Sequence, residues 1–332
     1  MRIVLDAMGS DNYPTPDVQG AVMAAREWGD EIILVGREEA IRQELVRSDA
    51  TNLKLEIVHA PEVIEMDDDP VWAARAKKNS SMHVGMNLVR DAKADGYVTA
   101  GNTGGVLVVA TLHTLRRIRG IKRPALVVIL PLPAGRLVAL DIGANADCQP
   151  EHLSQFALMG SSYARAVLDC AKPRVALLSN GEEPGKGNEL VKKAYELLMA
   201  SDLNFIGNIE PKDAIDGQAD VVVADGFTCN VFVKTMEGTA KMLTNLIRDE
   251  IKAGPLTAVG GLLAKPAFGR IARQVDPFEV GGGPLLGVNG VVIIGHGRSN
   301  ARAIKNSIGQ ARKAIDGRIV ETIRDGVTKE QK

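Results

Sequence analysis

The segment Tyr97-Val-Thr-Ala-Gly-Asn-Thr-Gly-Gly105 runs from a short apolar stretch through a polar, glycine-bearing turn into a helical pattern. Similar units recur along the chain, with Val/Ile/Leu runs separated by helical patterns. Most of the runs are apolar throughout rather than alternating, which is typical of strands that helices cover on both faces. We therefore predict a three-layer α/β/α sandwich with a largely parallel sheet and right-handed crossovers.

Strands and helices alternate in this pattern. The predicted strands are Arg2 to Leu5, Ile32 to Val35, Leu55 to Val58, Tyr97 to Thr99, Leu126 to Leu130, Val175 to Leu178, Val221 to Val223 and Val291 to Ile294. The predicted helices cover roughly 17–28, 37–48, 80–94, 103–118, 151–171, 187–200, 229–253 and 299–316. Because no Pro/Ser-rich linker divides the chain, we expect a single domain over 1–323 and a polar, frayed tail over 324–332.

The composition excludes several classes of protein. The chain has 332 residues, 45% of them hydrophobic, which is enough to fill a core. Its 40 Lys and Arg against 41 Asp and Glu give a net charge of −1, so nucleic acid is not an expected partner. The cysteines lack Cys-x-x-Cys spacing, which argues against a disulfide framework and a structural zinc site. Because the sequence opens without a signal-peptide pattern and holds no membrane-spanning apolar stretch, we expect a cytoplasmic protein.

Polar turns that contain glycine follow five of the predicted strands. In a parallel sheet such turns collect at one edge, where main-chain N–H groups and helix N-termini bind anions. Each turn alone is equally explained as a tight connection, with glycine for positive φ and Ser, Thr, Asn or Asp as helix caps. Together they favour a shared polar pocket. The turns are 6–11, 99–105, 141–145, 179–189 and 295–300.

Familiar catalytic motifs do not occur in the sequence. No turn combines Gly-x-Gly-x-x-Gly with an acidic residue at the ribose distance, which disfavours a dinucleotide site. Gly181 to Lys186 resembles a phosphate-binding loop, but its glycines are one residue too close and Gly187 replaces the Mg²⁺-binding Ser or Thr. There is no Gly-x-Ser-x-Gly elbow, and the histidines lack metal-protease or deaminase spacing. Only His296, inside a glycine turn, is a candidate site histidine.

An ordered set of motifs resembles one protein family. The motifs are Asp6-Ala-Met-Gly-Ser-Asp11, Thr99-Ala-Gly-Asn-Thr-Gly104, Arg123-Pro-Ala-Leu126, Asp141-Ile-Gly-Ala-Asn145, Leu178-Ser-Asn-Gly-Glu-Glu-Pro-Gly-Lys-Gly-Asn-Glu189 and Asp225-Gly-Phe-Thr-Cys-Asn230. The set, which extends over about 1–320, is similar to the PlsX family, the bacterial phosphate acyltransferases of phospholipid synthesis.

The resemblance implies transfer of a long acyl chain from acyl carrier protein to inorganic phosphate. The acyl phosphate would then serve a membrane-embedded glycerol-3-phosphate acyltransferase. The resemblance also implies a homodimer, peripheral membrane association, no metal or other cofactor, and a fold similar to phosphotransacetylases and the isocitrate and isopropylmalate dehydrogenases. Two alternatives stay open: a phosphotransacetylase-like enzyme that uses acyl-CoA, and a non-catalytic sensor of phosphate or a phosphometabolite.

The chemistry of this reaction suggests which residues to look for. Phosphate is already a nucleophile and a thiol with a pKa near 8.5 leaves readily, so the protein need only hold phosphate, aim it and stabilise an oxyanion. An acyl-enzyme on Cys148 or Cys229 is disfavoured, because neither cysteine has an adjacent basic activator. The predicted phosphate-binding residues are Gly101, Asn102, Thr103, Gly104, Gly185 and Gly187.

The remaining candidates have more than one interpretation. Lys186 is the leading cation, and Asn180 and Asn188 would orient the carbonyl. Three aspartates either position Lys186 or His296, accept a proton from phosphate, or simply cap helices and turns. They are Asp6, Asp141 and Asp225, and Asn145 and Asn230 are further candidates.

Two stretches suggest interaction surfaces. The basic run Arg116, Arg117, Arg119, Lys122 and Arg123 is either a docking surface for an acidic carrier protein or a solvated helix end. Between Ile251 and Val275 there is no acidic residue, and we expect Pro266 to divide a basic amphipathic segment, 254–275, into two short helices. This segment lies on an anionic membrane, or forms a dimer contact or a lid. Its apolar residues are Leu256, Val259, Leu262, Leu263, Phe268 and Ile271.

Overall fold

The computed structural model describes residues 1–275 and 277–330. The strands are β1 Arg2–Asp6, β2 Glu31–Gly36, β3 Leu55–His59, β4 Gly96–Thr99, β5 Ala125–Leu132, β6 Gly135–Leu140, β7 Val175–Leu178, β8 Phe205–Ile209, β9 Val221–Val223, β10 Gly283–Leu286 and β11 Val291–Ile294. The helices are α1 Thr15–Trp28, α2 Glu38–Arg47, α3 Pro70–Ala76, α4 Ser81–Arg90, α5 Thr103–Val108, α6 Pro150–Leu168, α7 Glu189–Met199, α8 Pro211–Ile215, α9 Gly226–Lys252, α10 Pro255–Val275, α11 Pro277–Val280, α12 Ala301–Asp316 and α13 Ile319–Glu330. A π-helical turn, Val109–His113, continues α5.

The strands form one sheet in the order β3-β2-β1-β4-β11-β10-β5-β6-β9-β7-β8. The strands β3, β2, β1, β4 and β11 are mutually parallel, and β6, β9, β7 and β8 form a second parallel set. Between them β10 is antiparallel to both neighbours, and β5 pairs with β6 as a hairpin. The two parallel sets therefore run in opposite directions. The predicted α/β class and largely parallel sheet are confirmed, but the expectation that all five turns meet at one edge is wrong.

Alternate residues of the strands point to opposite faces, and helices cover both. Ile3 and Leu5 of β1 join a core cluster that also contains Val138 of β6 and so extends across both parallel sets. Helices α1, α2, α6, α7, α12 and α13 contribute to this cluster. On the other face Val4 packs with α3, α4 and α5, and Ala139 packs with α8 and α9. Helices α5 and α9 therefore share one face of the sheet.

The eight strands and eight helices predicted from the sequence are present, with differences at several ends. The helix predicted over 103–118 ends at His113, where the π-helical turn stops. The break predicted at Pro266 is wrong, because α10 continues through this residue. A proline inside a helix removes one hydrogen bond and crowds the carbonyl four residues earlier, which can kink a helix without ending it. The frayed tail is also wrong as far as residue 330, since α13 buries Val327 in the core.

A helical arm extends from the sheet, built from the distal part of α9 and from α10. Gly261 of α10 packs against Ile251 of α9, so the two helices form a hairpin. The six apolar residues predicted for this segment are all exposed, with Leu256 at 85% and Leu263 at 79%. Within residues 1–275 and 277–330, no helix is both long enough and apolar enough to cross a membrane.

The contact between α1 and α12 allows no side chain at Gly20. A Cβ atom there would lie 2.5 Å from Cβ of Ile304 and 2.8 Å from the carbonyl oxygen of Ala301. We expect Gly20→Ala to destabilise the fold by about 1–3 kcal/mol, because the helices must separate. Gly238→Ala is the matched control: this helical glycine faces open space, so alanine should stabilise by about 0.5–1 kcal/mol. Urea unfolding compares the two variants, and equal effects would contradict close packing at Gly20.

Candidate functional site

Three of the glycine turns form one group, which we call the first turn group: 6–11, 99–105 and 295–300. The amide of Asp11 donates to the carbonyl of Gly297 at 2.7 Å, and the amide of Gly295 donates to the carbonyl of Thr99 at 2.7 Å. A Cβ atom on Gly9 would lie 2.9 Å from the amide nitrogen of Gly101, so glycine permits close approach of these two turns. The three turns follow β1, β4 and β11, which are neighbours in the parallel set.

A buried carboxylate, that of Asp6, holds two turns of the first turn group together. Asp6 accepts hydrogen bonds from the Thr99 hydroxyl at 2.9 Å, the Met8 amide at 3.0 Å and the Tyr97 hydroxyl at 3.2 Å. Desolvation raises the pKa of Asp6 above its ordinary value. Because Asp6 is buried and its oxygens are occupied, its geometry is that of an anchor for the turns.

A second buried acid, which the sequence analysis did not identify, lies beside Asp6. Asp17 is fully buried on α1, and the Ser10 hydroxyl lies 2.5 Å from its Oδ2 atom. Its Oδ1 atom has no hydrogen-bond partner in the described part of the chain. Desolvation, followed by the charge of Asp6, raises the pKa of Asp17 to about 8, although the hydrogen bond from Ser10 opposes this. Asp17 lies in the first turn of α1, where acidic residues are common, so the sequence carries no signal that it is buried.

The predicted phosphate cradle is the N-terminus of α5. Oδ1 of Asn102 caps this helix by accepting from the Gly105 amide at 3.0 Å, while its Nδ2 atom donates to carbonyls of the loop 65–68. The Gly101 amide donates to the Thr99 hydroxyl. Thr103 and Gly104 are partly exposed at the first positions of the helix, where amides have no intrahelical acceptor. The cradle therefore consists of main-chain groups, with the Asn102 side chain used to build it.

The second parallel set carries another group of polar residues. Asp141 accepts four hydrogen bonds, from the amides of Leu126, Ala144 and Asn145 and from the Asn145 side chain, at 2.6–3.1 Å. Its pKa is raised, chiefly by desolvation. The Gly226 amide donates to the carbonyl of Asn145 at 2.8 Å, which joins this turn to the start of α9. Asp141 and Asn145 thus have structural roles in the turn.

Helix α9 connects the second group to the first. Asp225 caps it by accepting from the Thr228 amide and hydroxyl, each at 2.8 Å. Asn230, one turn on, lies against Gly143. Lys234, a turn further, pairs with Glu237 at 2.9 Å. Desolvation, then the charges of Lys234 and Arg298, lower the pKa of His296, so α9 extends to the first turn group.

The turn 179–189 is exposed and follows β7 in the second set. Oδ1 of Asn180 accepts from the Gly187 amide at 3.0 Å, and Asn188 caps α7 by accepting from the Val191 amide at 3.0 Å. Lys186 is exposed, and its amide donates to the carbonyl of Glu183 at 2.9 Å. Gly185 faces open space. Lys186 therefore keeps its ammonium group in solvent, whereas both asparagines have one side-chain atom fixed within the turn.

The cysteines are poorly suited to nucleophilic attack. Desolvation raises the pKa of Cys148 to about 12, and the nearby Asp141 adds to this shift. Cys229 is fully buried, and desolvation raises the pKa of its thiol further. Since the thiolate is the nucleophilic form, these shifts oppose an acyl-enzyme on either residue.

The basic run 116–123 lies in the loop between the π-helical turn and β5. Arg116 donates to the carbonyl of Leu112 and Arg117 donates to the carbonyl of Lys122. Nζ of Lys122 lies 3.9 Å from a Glu151 carboxylate oxygen. Part of the run is thus used to terminate the helix and to fold the loop, while Arg119 and Arg123 are also exposed.

Comparison with known proteins supports the resemblance. A family model described as "Fatty acid synthesis protein" matches residues 1–322. Proteins named phosphate acyltransferase from Herpetosiphon aurantiacus and Pelotomaculum thermopropionicum are each 48% identical; the alignments cover 97% and 98% of this chain and 96% and 95% of those relatives.

Two solved structures share the fold. A phosphotransacetylase from Streptococcus pyogenes is 21% identical with a TM-score of 0.64, covering 94% of each chain. A branched-chain phosphotransacylase from Enterococcus faecalis is 15% identical with a TM-score of 0.59, covering 95% of this chain and 99% of that one. The protein is an α/β enzyme of the transferase class. It belongs to the fatty acid synthesis protein family, whose curated relatives are named phosphate acyltransferases, and the resemblance found in the motifs is confirmed.

Asp17→Asn tests the buried acid beneath the first turn group. Between pH 3.8, its ordinary pKa, and about 8, the folded protein retains a proton that the unfolded chain releases. The stability of the wild type therefore falls as pH rises through this window. Asparagine does not ionise, so the stability of Asp17→Asn relative to wild type should increase from pH 5 to pH 8.

Urea unfolding at several pH values measures this difference. The exposed Asp202, changed to Asn, is the control and should show no such trend. A constant difference between Asp17→Asn and wild type at every pH would contradict a raised pKa.

Proposed function

We propose that this protein transfers a long-chain acyl group from the thioester of acyl carrier protein to inorganic phosphate. One observation carries the proposal: in a chain whose relatives are named phosphate acyltransferases, three glycine turns meet around a helix N-terminus whose first residues, Thr103 and Gly104, are partly exposed. Amides and the positive end of a helix favour a dianion without a metal ion. The product is acyl phosphate.

The cradle residues place phosphate for attack. The amides around Asn102, Thr103 and Gly104 bind phosphate oxygens, and the Thr103 hydroxyl provides a further donor. Gly101 permits the close approach of the turns. In the turn of Lys186, Gly185 faces open space, whereas Gly187 has a φ of +91° and a Cβ atom there would lie 2.6 Å from Val191. Binding of this kind removes part of the hydration of phosphate and fixes its direction, which is where most of the rate enhancement arises.

The transfer is a single displacement. A phosphate oxygen forms a bond to the thioester carbonyl carbon, and the carbon–sulfur bond then breaks. The imidazole of His296, whose pKa is lowered chiefly by desolvation, accepts the proton of hydrogen phosphate and passes it to the departing pantetheine sulfur, which leaves as the thiol. Neither cysteine takes part, in agreement with their raised pKa values.

The other candidates divide into two roles. Lys186 and the side-chain amides of Asn180 and Asn188 keep the oxyanion role predicted from the sequence, but their turn leaves the edge of the sheet opposite the cradle. We assign Asp6, Asp141 and Asp225 to holding turns and capping α9, because hydrogen bonds occupy their oxygens. Lys234 of α9 is therefore a second candidate for the cation that stabilises the oxyanion, because its charge lowers the pKa of His296 in the first turn group.

We further propose that the helical arm attaches the protein to an anionic membrane surface. Its exposed apolar residues and its lack of acidic residues between Ile251 and Val275 suit an interfacial site, where acyl phosphate passes to a membrane-embedded glycerol-3-phosphate acyltransferase. Pairing of arms in a homodimer, or closure of the arm as a lid, are the alternatives.

The activity is tested by thiol release from palmitoyl-carrier protein or acetyl-CoA in the presence of phosphate. We expect release from the carrier-linked donor. Release from acetyl-CoA alone would favour an acyl-CoA enzyme like the phosphotransacetylases whose fold this chain shares. Release from neither donor, with phosphate still bound, would favour a sensor.

Lys186→Ala tests the oxyanion assignment. Loss of the ammonium should lower kcat on the order of 10²–10³-fold, because the charge acts mainly in the transition state. The fold should be unaffected, since Lys186 is exposed. Lys193→Ala, an exposed lysine on the neighbouring α7, is the matched control. Near-normal turnover of Lys186→Ala together with a large loss of turnover in Lys234→Ala would assign stabilisation of the oxyanion to Lys234 of α9.

Leu263→Glu tests membrane attachment. A carboxylate on the exposed face of α10 should weaken binding to vesicles of anionic phospholipid at least several-fold in a sedimentation assay. Val46→Glu changes an equally exposed apolar residue on α2 and should leave vesicle binding unaltered. Unchanged binding of Leu263→Glu, with an altered oligomeric state by light scattering, would assign the arm to the dimer.

A further inference from the structure

A basic surface surrounds the C-terminal end of the helix that begins at the phosphate cradle. The helix ends at His113, and Arg116 folds back to donate to the carbonyl of Leu112. Helix α3 runs beside α5, with Pro70 against Gly104 near the start of both. Arg75 and Lys78 follow near the far end of α3, and with Arg116 they lower the pKa of His113, after desolvation. Three cations from two segments, Arg75, Lys78 and Arg116, therefore lie near His113 at this end of the helix.

Like most of the other Lys and Arg residues, the three cations of this surface form no ion pair within the described residues. In the described part of the chain, no carboxylate oxygen lies within 4 Å of Arg75, Lys78 or Arg116, whereas Lys77 next to them pairs with Asp68 at 2.5 Å. Large apolar side chains lie on the same two segments: Trp72 is 61% exposed and Leu112 is 53% exposed. Unpaired cations around exposed apolar groups are typical of a surface that binds an acidic protein.

The basic surface is connected to the cradle by the helix itself. Ten residues separate Thr103 from His113, which at the helical rise correspond to about 15 Å. Along this length, residues at helical spacing remain partly or fully exposed. They are Gly104, Leu107, Val108, Thr111 and Leu112. A flexible thioester arm anchored at the basic surface can follow this stripe to the bound phosphate.

We propose that Arg75, Lys78, His113 and Arg116, together with Trp72 and Leu112, form the docking surface for the acidic carrier protein. The inference rests on the proposed function, because an acidic carrier protein has to dock within reach of the cradle only if the acyl group arrives as a carrier-linked thioester. It extends the basic run 116–123 to α3 and the π-helical turn. Within that run, Arg116 and Arg117 each donate to a main-chain carbonyl and Lys122 lies near Glu151. Arg116 belongs to the docking surface because its charge acts on His113.

The double variant Arg75→Glu/Lys78→Glu tests this surface. Both side chains are exposed, so thermal unfolding should be little changed. With palmitoyl-carrier protein, we expect kcat/KM to fall on the order of tenfold or more, mainly through KM, and to depend less steeply on salt than in the wild type. Arg165→Glu/Lys172→Glu carries the same charge change on exposed residues at the end of α6 and should behave as the wild type.

Direct binding separates this surface from the proposed function. Fluorescence anisotropy of labelled carrier protein should show tight binding by the wild type and the control, and a loss of on the order of tenfold in Arg75→Glu/Lys78→Glu. A wild type that binds carrier but transfers no acyl group would overturn the proposed function and leave the docking surface standing. Equal carrier affinity in all three proteins would overturn the docking surface, whatever the activity. A variant that loses anionic-vesicle binding while keeping carrier affinity would show a membrane contact instead.

Discussion

The reversal of strand direction in the middle of the sheet is the constraint on which the positions of the candidate residues depend. Because β10 is antiparallel to both of its neighbours and β5 pairs with β6 as a hairpin, the outer strands run in opposite directions on the two sides. Turns of the two sets consequently leave opposite edges. A site that uses both sets needs an element that runs between those edges, and α9 does this on the face that it shares with α5.

Carboxylates in this protein hold the turns in place. Asp6, Asp141 and Asp225 each accept main-chain or hydroxyl hydrogen bonds from a turn or a helix start. A turn built from glycines has little side-chain packing to fix it, so a buried acceptor beneath it supplies the missing order. The cost is a raised pKa at Asp6 and Asp141, and an unpartnered oxygen at Asp17. In the proposed reaction, rigid amides that hold phosphate justify this cost, because that reaction relies on positioning.

The sequence predicted the buried strands because their apolar runs are continuous, as in β1, β2 and β11. It did not predict β6, β8 or β10, which contain glycine, arginine, asparagine or proline that weaken a strand pattern. The hairpin between β5 and β6 turns at Pro133-Ala134, which lacks the Asn-Gly or Asp-Gly signal of a two-residue turn. Because the sequence does not indicate this hairpin, it does not predict the reversal of strand direction, and its pattern places all five turns at one edge of the sheet. Contacts over long sequence distances, such as Asp11 with Gly297, leave no local signal at all.

The division of surfaces follows from the same architecture. The arm extends α9 and α10 beyond the sheet and exposes apolar residues, whereas the basic surface lies at the end of α5, beside α3. In the proposed reaction, the substrate presents two different needs, since its carrier is acidic and its acyl chain is apolar. A chain with a net charge of −1 cannot attract an acidic carrier through its overall field, so attraction has to come from local, unpaired cations. Lys77, which an aspartate neutralises, contributes little to such attraction, while its unpaired neighbour Lys78 does. The cations suited to docking are therefore those that are exposed, lack a carboxylate partner and lie beside exposed apolar side chains such as Trp72 and Leu112; a run of basic residues in the sequence does not identify them.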